Sequence, residues 1–108
     1  SWSSLISMTT FEVFGGNLQG TIPVLDSWVK LVEFRVQDNT LTGTLPLFFS
    51  NLTDLKILDF GGNQFEGSLP SSYGNLVKME RFIFRENKIE GTIPDSYASW
   101  SILTSFMG

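Results

Sequence analysis

Gly20-Thr21-Ile22-Pro23, Gly43-Thr44-Leu45-Pro46, Gly67-Ser68-Leu69-Pro70 and Gly91-Thr92-Ile93-Pro94 are four copies of one phrase, and they use every proline in the chain. The prolines stand 23, 24 and 24 residues apart. A fixed period of this size marks stacked coils rather than a globule around one central core. A single coil cannot bury its own apolar face, so neighbouring coils supply the interior for each other. Function is then expected on the surface that stacking creates, with no isolated motif carrying it.

Aligning the chain on that phrase sorts the rest into columns. Met8, Leu31, Leu55 and Met79 fall together, as do Phe11, Phe34, Leu58 and Phe82, and Val13, Val36, Phe60 and Phe84. Further columns hold Leu18, Leu41, Phe65 and Ile89; Ile22, Leu45, Leu69 and Ile93; and Leu5, Trp28, Leu52, Leu76 and Trp100. The unit reads L-x-x-L-x-x-L-x-L-x-x-N-x-L-x-G-x-[IL]-P, with aromatics or Met replacing Leu. These apolar residues are expected to form the core and not a cofactor box. Units near 5–27, 28–51, 52–75, 76–99 and 100–108 follow from the spacing, as one segment without capping domains.

The polar columns have structural work to do. Asn39, Asn63 and Asn87 recur where the chain turns out of its strand, where an amide can satisfy backbone groups of its own and the adjacent coil. The first unit departs, with Gly16 at that position and Asn17 one place late. A second column, Ser4, Ser27, Asn51, Asn75 and Ser99, is expected to bond similarly on the outer side. The residue missing from the 23-residue spacing lies between Pro23 and Trp28, in an outer connection that tolerates deletion.

The L-x-G-x-[IL]-P tail, repeated four times in register, resembles the plant-specific leucine-rich repeat, and the resemblance covers residues 5 to 106. It implies an α/β solenoid: a right-handed superhelix with a parallel β-sheet on the concave face and 3-10 or irregular segments on the convex face. Repeats of this type belong to ectodomains of receptor-like kinases and receptor-like proteins, and to secreted cell-wall inhibitors. The stretches 31–39 and 93–100 also look like repeats of receptor kinases that pair such a solenoid with a malectin-like domain. The resemblance implies an extracellular, cell-surface location.

Eleven acids stand against seven bases, with no histidine, for a net charge of −4. Nucleic acid is an unsuitable partner, because phosphate binding needs clustered Lys and Arg and no basic run exists. No apolar stretch approaches the roughly 18 residues needed to cross a bilayer, so this segment is expected to make no membrane contact. No secretory leader is visible, and Ser1 reads as a processed or excised start. Cysteine is absent, whereas secreted solenoids of the resembled kind close their ends with cysteine-paired caps. The chain is therefore read as an internal piece of a longer ectodomain. The other reading is a free-standing protein that self-associates through uncapped ends.

Within each unit, x-L-x-L-x is expected to form a strand whose x positions face outward. Four outward columns result. They are Thr10, Glu33, Ile57, Arg81 and Ser105; Glu12, Arg35, Asp59, Ile83 and Met107; Phe14, Gln37, Gly61 and Arg85; and Gly15, Asp38, Gly62 and Glu86. Candidate ligand- or partner-binding residues are Glu12, Phe14, Glu33, Arg35, Gln37, Asp38, Asp59, Arg81, Ile83 and Arg85. The row Glu12, Arg35, Asp59 alternates in charge and reads either as a cross-strand ion ladder or as a polar binding strip. Gly15, Gly61 and Gly62 would allow close backbone approach of a ligand, but the turn after the strand is the favoured explanation. Peptide, small ligand or another protein is the expected partner class. Asn51-Leu52-Thr53 fits the N-glycosylation pattern, although Asn75-Leu76 shows that Asn-Leu is also the repeat's own phrase.

Without His or Cys, Ser-His-Asp and Cys-His nucleophilic sites and His/Cys zinc clusters are excluded, and no catalytic residue, metal site or cofactor is expected. Asp59 with Glu12 or Glu33 is the nearest approach to a glycosidase pair, but an exposed sheet does not raise one acid's pKa for proton donation. The Gly-Gly-Asn phrases precede turns rather than helices, so they form no phosphate loop. The expected function is recognition by a receptor-kinase ectodomain segment. A secreted inhibitor of a cell-wall-degrading enzyme and a spacer between binding repeats are the other readings.

Overall fold

The repeating x-L-x-L-x segments become strands. The computed structural model describes residues 8–16, 18–24 and 27–108. Five three-residue strands, β1 (Thr10–Glu12), β3 (Glu33–Arg35), β5 (Ile57–Asp59), β7 (Arg81–Ile83) and β9 (Ser105–Met107), form one parallel sheet in that order. Each is centred on an inward residue, and Phe34, Leu58 and Phe82 are fully buried. The register joins equivalent positions, Thr10 opposite Glu33, Glu33 opposite Ile57, Ile57 opposite Arg81 and Arg81 opposite Ser105. Short strands suffice because every coil donates and accepts along the same edges. Lys56 N bonds Val32 O at 2.8 Å and Glu80 N bonds Lys56 O at 2.7 Å before the strand; Phe60 N bonds Ile83 O at 2.8 Å after it.

A second parallel sheet, which the repeat pattern does not announce, lies later in each coil: β2 (Gln19–Gly20), β4 (Thr40–Thr44), β6 (Gln64–Gly67) and β8 (Lys88–Ile89). Its register is offset. Gly20 pairs with Leu41 rather than Gly43, Thr42 with Gln64 rather than Glu66, and Glu66 with Lys88 rather than Glu90. Neighbouring coils are thus in step in the first sheet and two residues out of step in the second. The glycine of the phrase lies near the end of this strand in a left-handed conformation, with φ of 80°, 90°, 84° and 94° at Gly20, Gly43, Gly67 and Gly91. A side chain is strained there. At Gly43 and Gly67 an added Cβ would also press to 3.1 Å from a threonine methyl of the coil before. The proline that follows, φ −60° to −67°, is extended and opens a 3-10 helix at Leu47–Asn51, Ser71–Asn75 and Asp95–Ser99. No α-helix occurs among the described residues.

The core is a continuous stack between these layers. Trp28, Phe34, Phe49, Phe60, Phe65, Tyr73 and Phe82 are fully buried, and rings meet from coil to coil, as in Phe34–Phe60 at 6.1 Å and Phe82–Trp100 at 5.4 Å. Ile93 is the departure. Its column-mates Ile22, Leu45 and Leu69 are buried, but Ile93 is 57% exposed, with no described coil stacked beyond it. Leu5, Ser4 and Asn17 lie outside the described residues.

Two polar ladders bind the stack. Asn63 donates from Nδ2 to Val36 O, Phe60 O and Gly61 O at 2.9, 3.0 and 3.2 Å, and its Oδ1 accepts from Leu41 N at 3.1 Å. Asn39 and Asn87 repeat the pattern, reaching back to Val13 O and Phe60 O. On the opposite side, Tyr73 Oη donates to Pro46 O at 2.6 Å and Tyr97 Oη to Pro70 O at 2.8 Å. Burial pushes both phenols above their ordinary pKa, and the neighbouring Tyr97 adds to the effect at Tyr73. In the outer polar column, Ser99 Oγ donates to Gly74 O at 2.9 Å, whereas Asn51 and Asn75 are exposed.

Candidate functional site

The first sheet presents its outward positions as a single face, and the strand register lines up each column as the repeat demands. At the N-terminal side, Arg35 is held from two directions: Nε lies 3.5 Å from Glu12 Oε2, and Nη2 lies 3.2 Å from Glu33 Oε1. Both partners are partly exposed, so these pairs contribute less than about 1 kcal/mol each. The alternating row stops there. Asp59 is not an ion-pair partner of Arg35; its Oδ1 instead accepts from Gly61 N at 3.0 Å. Phe14, 54% exposed, stands at one edge of the face.

Asp59 and Ile83 are not the outward, solvated positions that strand alternation implies. They are 8% and 6% exposed. The cause is the bare backbone at Gly61. A Cβ placed there would lie 3.3 Å from Asp59 Oδ1, 3.4 Å from Ile83 Cγ2 and 3.7 Å from Arg85 Cγ. Without that Cβ the three side chains lean together over the glycine. Gly61 has an ordinary backbone conformation, so close approach rather than the turn explains it; the turn does explain Gly15 and Gly62, at φ 98° and 69°.

The turn column contains two outliers. Asp38 and Glu86 adopt φ 58°, the conformation that Gly15 and Gly62 supply in the coils beside them. An L side chain costs roughly 1–2 kcal/mol in that region. Asp38 bends over Gly62, whose absent Cβ would collide with Asp38 Oδ1. A concavity of about 250 Å³ results, lined by Gln37, Asp38, Asp59, Gly61, Gly62, Ile83, Arg85 and Glu86. Five of the sequence candidates, Gln37, Asp38, Asp59, Ile83 and Arg85, therefore meet in one place. Glu12, Phe14, Glu33, Arg35 and Arg81 lie outside it on the same face. Glu86 was not among the candidates; its place in a column that is otherwise half glycine is the signal that finds it.

Hydrogen bonding inside the concavity is incomplete. Gln37 Oε1 is enclosed and has no hydrogen-bond partner. Arg85 is exposed and belongs to none of the four ion pairs found among the described residues. No group of acidic, His or Cys side chains among the described residues is arranged to hold a metal ion. No helix among them is long and apolar enough to cross a membrane.

Comparison with known proteins shows what these features are similar to. The leucine-rich-repeat model matches residues 30–52 and 54–76. Receptor-like kinase TMK2 of Arabidopsis thaliana is 37% identical over 62 residues, which are 57% of this chain and 7% of that protein. Among solved structures, the ectodomain of the Arabidopsis thaliana membrane receptor kinase GASSHO1/SCHENGEN3, in complex with CASPARIAN STRIP INTEGRITY FACTOR 2, superposes with a TM-score of 0.91. It is 33% identical, and the match covers 97% of this chain and 13% of that one. A plant ice-binding protein also reaches 0.91, at 26% identity, over 98% of this chain and 35% of its own. The chain thus spans only a small share of the receptor relatives it matches.

Proposed function

We propose that this chain, a member of the leucine-rich-repeat family, is a recognition segment of an extracellular plant receptor-kinase ectodomain and grips an extended peptide or protein segment on its first sheet. The chain is not an enzyme: it is a repeat segment of the receptor-ectodomain kind, and nucleophilic triads have no histidine or cysteine to use. The fold alone does not choose between roles, since an ice-binding protein shares it equally well. The face chooses.

The observation that carries the reading is the contrast between unsatisfied and satisfied groups. On the convex side, hydroxyls are consumed in the stack, as in Ser50 Oγ against Ser72 Oγ at 2.6 Å and Ser96 Oγ donating to Ser71 O at 2.6 Å. On the first sheet, Gln37 Oε1, Arg81 and Arg85 have no hydrogen-bonded or ion-paired side-chain partner among the described residues. Polar groups left unpaired on a rigid scaffold favour a ligand that completes them. Glu12, Phe14, Glu33, Arg35, Gln37, Asp38, Asp59, Arg81, Ile83 and Arg85 are the residues assigned to contact. Five strands about 4.8 Å apart span about 20 Å, so an extended peptide touches about six residues here at roughly 3.3 Å each. Neighbouring repeats then share the ligand.

A random peptide library panned against the protein tests this. Ile57→Arg, at the centre of the face, should abolish capture of the selected peptides, while Val77→Arg, exposed in the turn before β7 and outside the sheet, should leave it intact. Equal loss with both substitutions, or with neither, refutes a concave binding face.

A further inference from the structure

The concavity around Gly61 has a chemistry of its own. We infer that it is a subsite for the ammonium or guanidinium end of a basic side chain on a bound peptide. This deepens the recognition reading above and rests on it.

Size is the first constraint. About 250 Å³ is below the roughly 300–1,000 Å³ of pockets that enclose a whole small ligand, so the space suits one side chain. Charge is the second. Three carboxylates, Asp38, Asp59 and Glu86, line the hollow against one guanidinium, Arg85. Asp59 is the deepest of them, 8% exposed, with Oδ1 committed to Gly61 N. An anionic ligand would face this excess of like charge, whereas a cation offsets it.

The third constraint is independent of charge. Gln37 Oε1 is enclosed without a partner, and an enclosed acceptor without a donor is destabilising. A carboxylate or carbonyl from a ligand cannot satisfy it; only an N–H or O–H can. The donor that answers both the acceptor and the excess of carboxylates is a protonated amine or guanidinium. Ile83, packed beside Gly61, offers an apolar wall for the methylene stem of such a side chain. A Cβ at Gly61 would press on Asp59, Ile83 and Arg85, and one at Gly62 on Asp38, so the two glycines leave room between these side chains. Arg85, exposed at the rim, is left to a carbonyl of the ligand backbone.

The test is an amide-shift titration of the protein with n-butylammonium, methylguanidinium and propionate as separate probes. Both cations should move the amides of Gly61, Gly62 and Ile83, and propionate should not. Asp59→Asn keeps an acceptor for Gly61 N–H, so the fold persists, and it should weaken butylammonium binding about tenfold, the effect of one lost charge contact. Gln37→Met should weaken it several-fold. Shifts with propionate that exceed those with butylammonium, or no shift at these amides with any probe, overturn the inference. Panned peptides that bind the first sheet without a basic residue and ignore Asp59→Asn would also remove the subsite while leaving the recognition reading intact. Cation binding at Gly61 combined with failure of the Ile57→Arg test would do the reverse.

Discussion

Replacing Asn63 by alanine probes the stacking directly. The Asn63 amide serves four backbone groups, but they do not lose equally. Val36 O keeps Asn39 Nδ2 at 2.8 Å, Phe60 O keeps Asn87 Nδ2 at 2.9 Å, and Gly61 O keeps Asp38 N at 2.9 Å. Leu41 N–H, buried, is left with nothing. One orphaned buried donor costs about 1–3 kcal/mol, and three weakened carbonyls add roughly 0.5 kcal/mol each. The expected loss is therefore about 3 kcal/mol, a large share of the roughly 5–15 kcal/mol that holds a typical domain together. Asn87→Ala makes the control. It orphans Phe65 N, but one of its carbonyl bonds is exposed and the residue is half-buried, so water replaces part of the loss and about half the effect is expected. Urea unfolding followed by circular dichroism measures both. A loss below about 1 kcal/mol for Asn63→Ala, or one no larger than for Asn87→Ala, refutes the ladder as a source of stability.

Other outcomes follow from the same geometry. Both tyrosines of the chain are buried with raised pKa, so they bind their protons more tightly folded than unfolded; their contribution to stability should be fully present below about pH 10 and lost as pH rises further. Phenolate absorbance should accordingly appear together with loss of circular dichroism, and phenolate formed in the folded protein near pH 10 would contradict it. Gly74→Ala should destabilise by about 1–3 kcal/mol, because its Cβ would fall 2.7 Å from the backbone oxygen of Ser96; a thermal shift within error of wild type would count against it. Secreted from plant cells, the protein should lose mass on N-glycanase treatment, and Asn51→Gln, at an exposed position, should abolish that loss. Asp54, whose carboxyl is held below its ordinary pKa by a hydrogen bond from Lys78 and then by its charge, should titrate higher in Lys78→Met by NMR, without any change in unfolding midpoint.

The columns of the sequence foretold the first sheet because its strands pair equivalent positions, so the period read from the prolines is also the register. The second sheet was not legible. Its partners are two residues out of step, so aligning equivalent positions does not reveal the pairing. Asn39, Asn63 and Asn87 were readable because an amide at a fixed place after every strand has one obvious task. Asp59 and Ile83 were misjudged as solvated: alternation predicts which way a side chain leaves the backbone, not whether its neighbours close over it. That closure depends on Gly61, which looked like turn chemistry and works instead as a missing wall. Glu86 could have been found from its column, where glycine in two coils implies an unusual backbone in the others.

The mismatch between the two sheets has a mechanical corollary. Layers held level at one rim and slipped by two residues, about 6.6 Å of extended chain, at the other cannot pile into a straight column. Each must tilt and turn on the last, so the first sheet follows a spiral staircase. A rod-like ligand would meet only a few steps before parting from it; a pliable one can climb the whole flight.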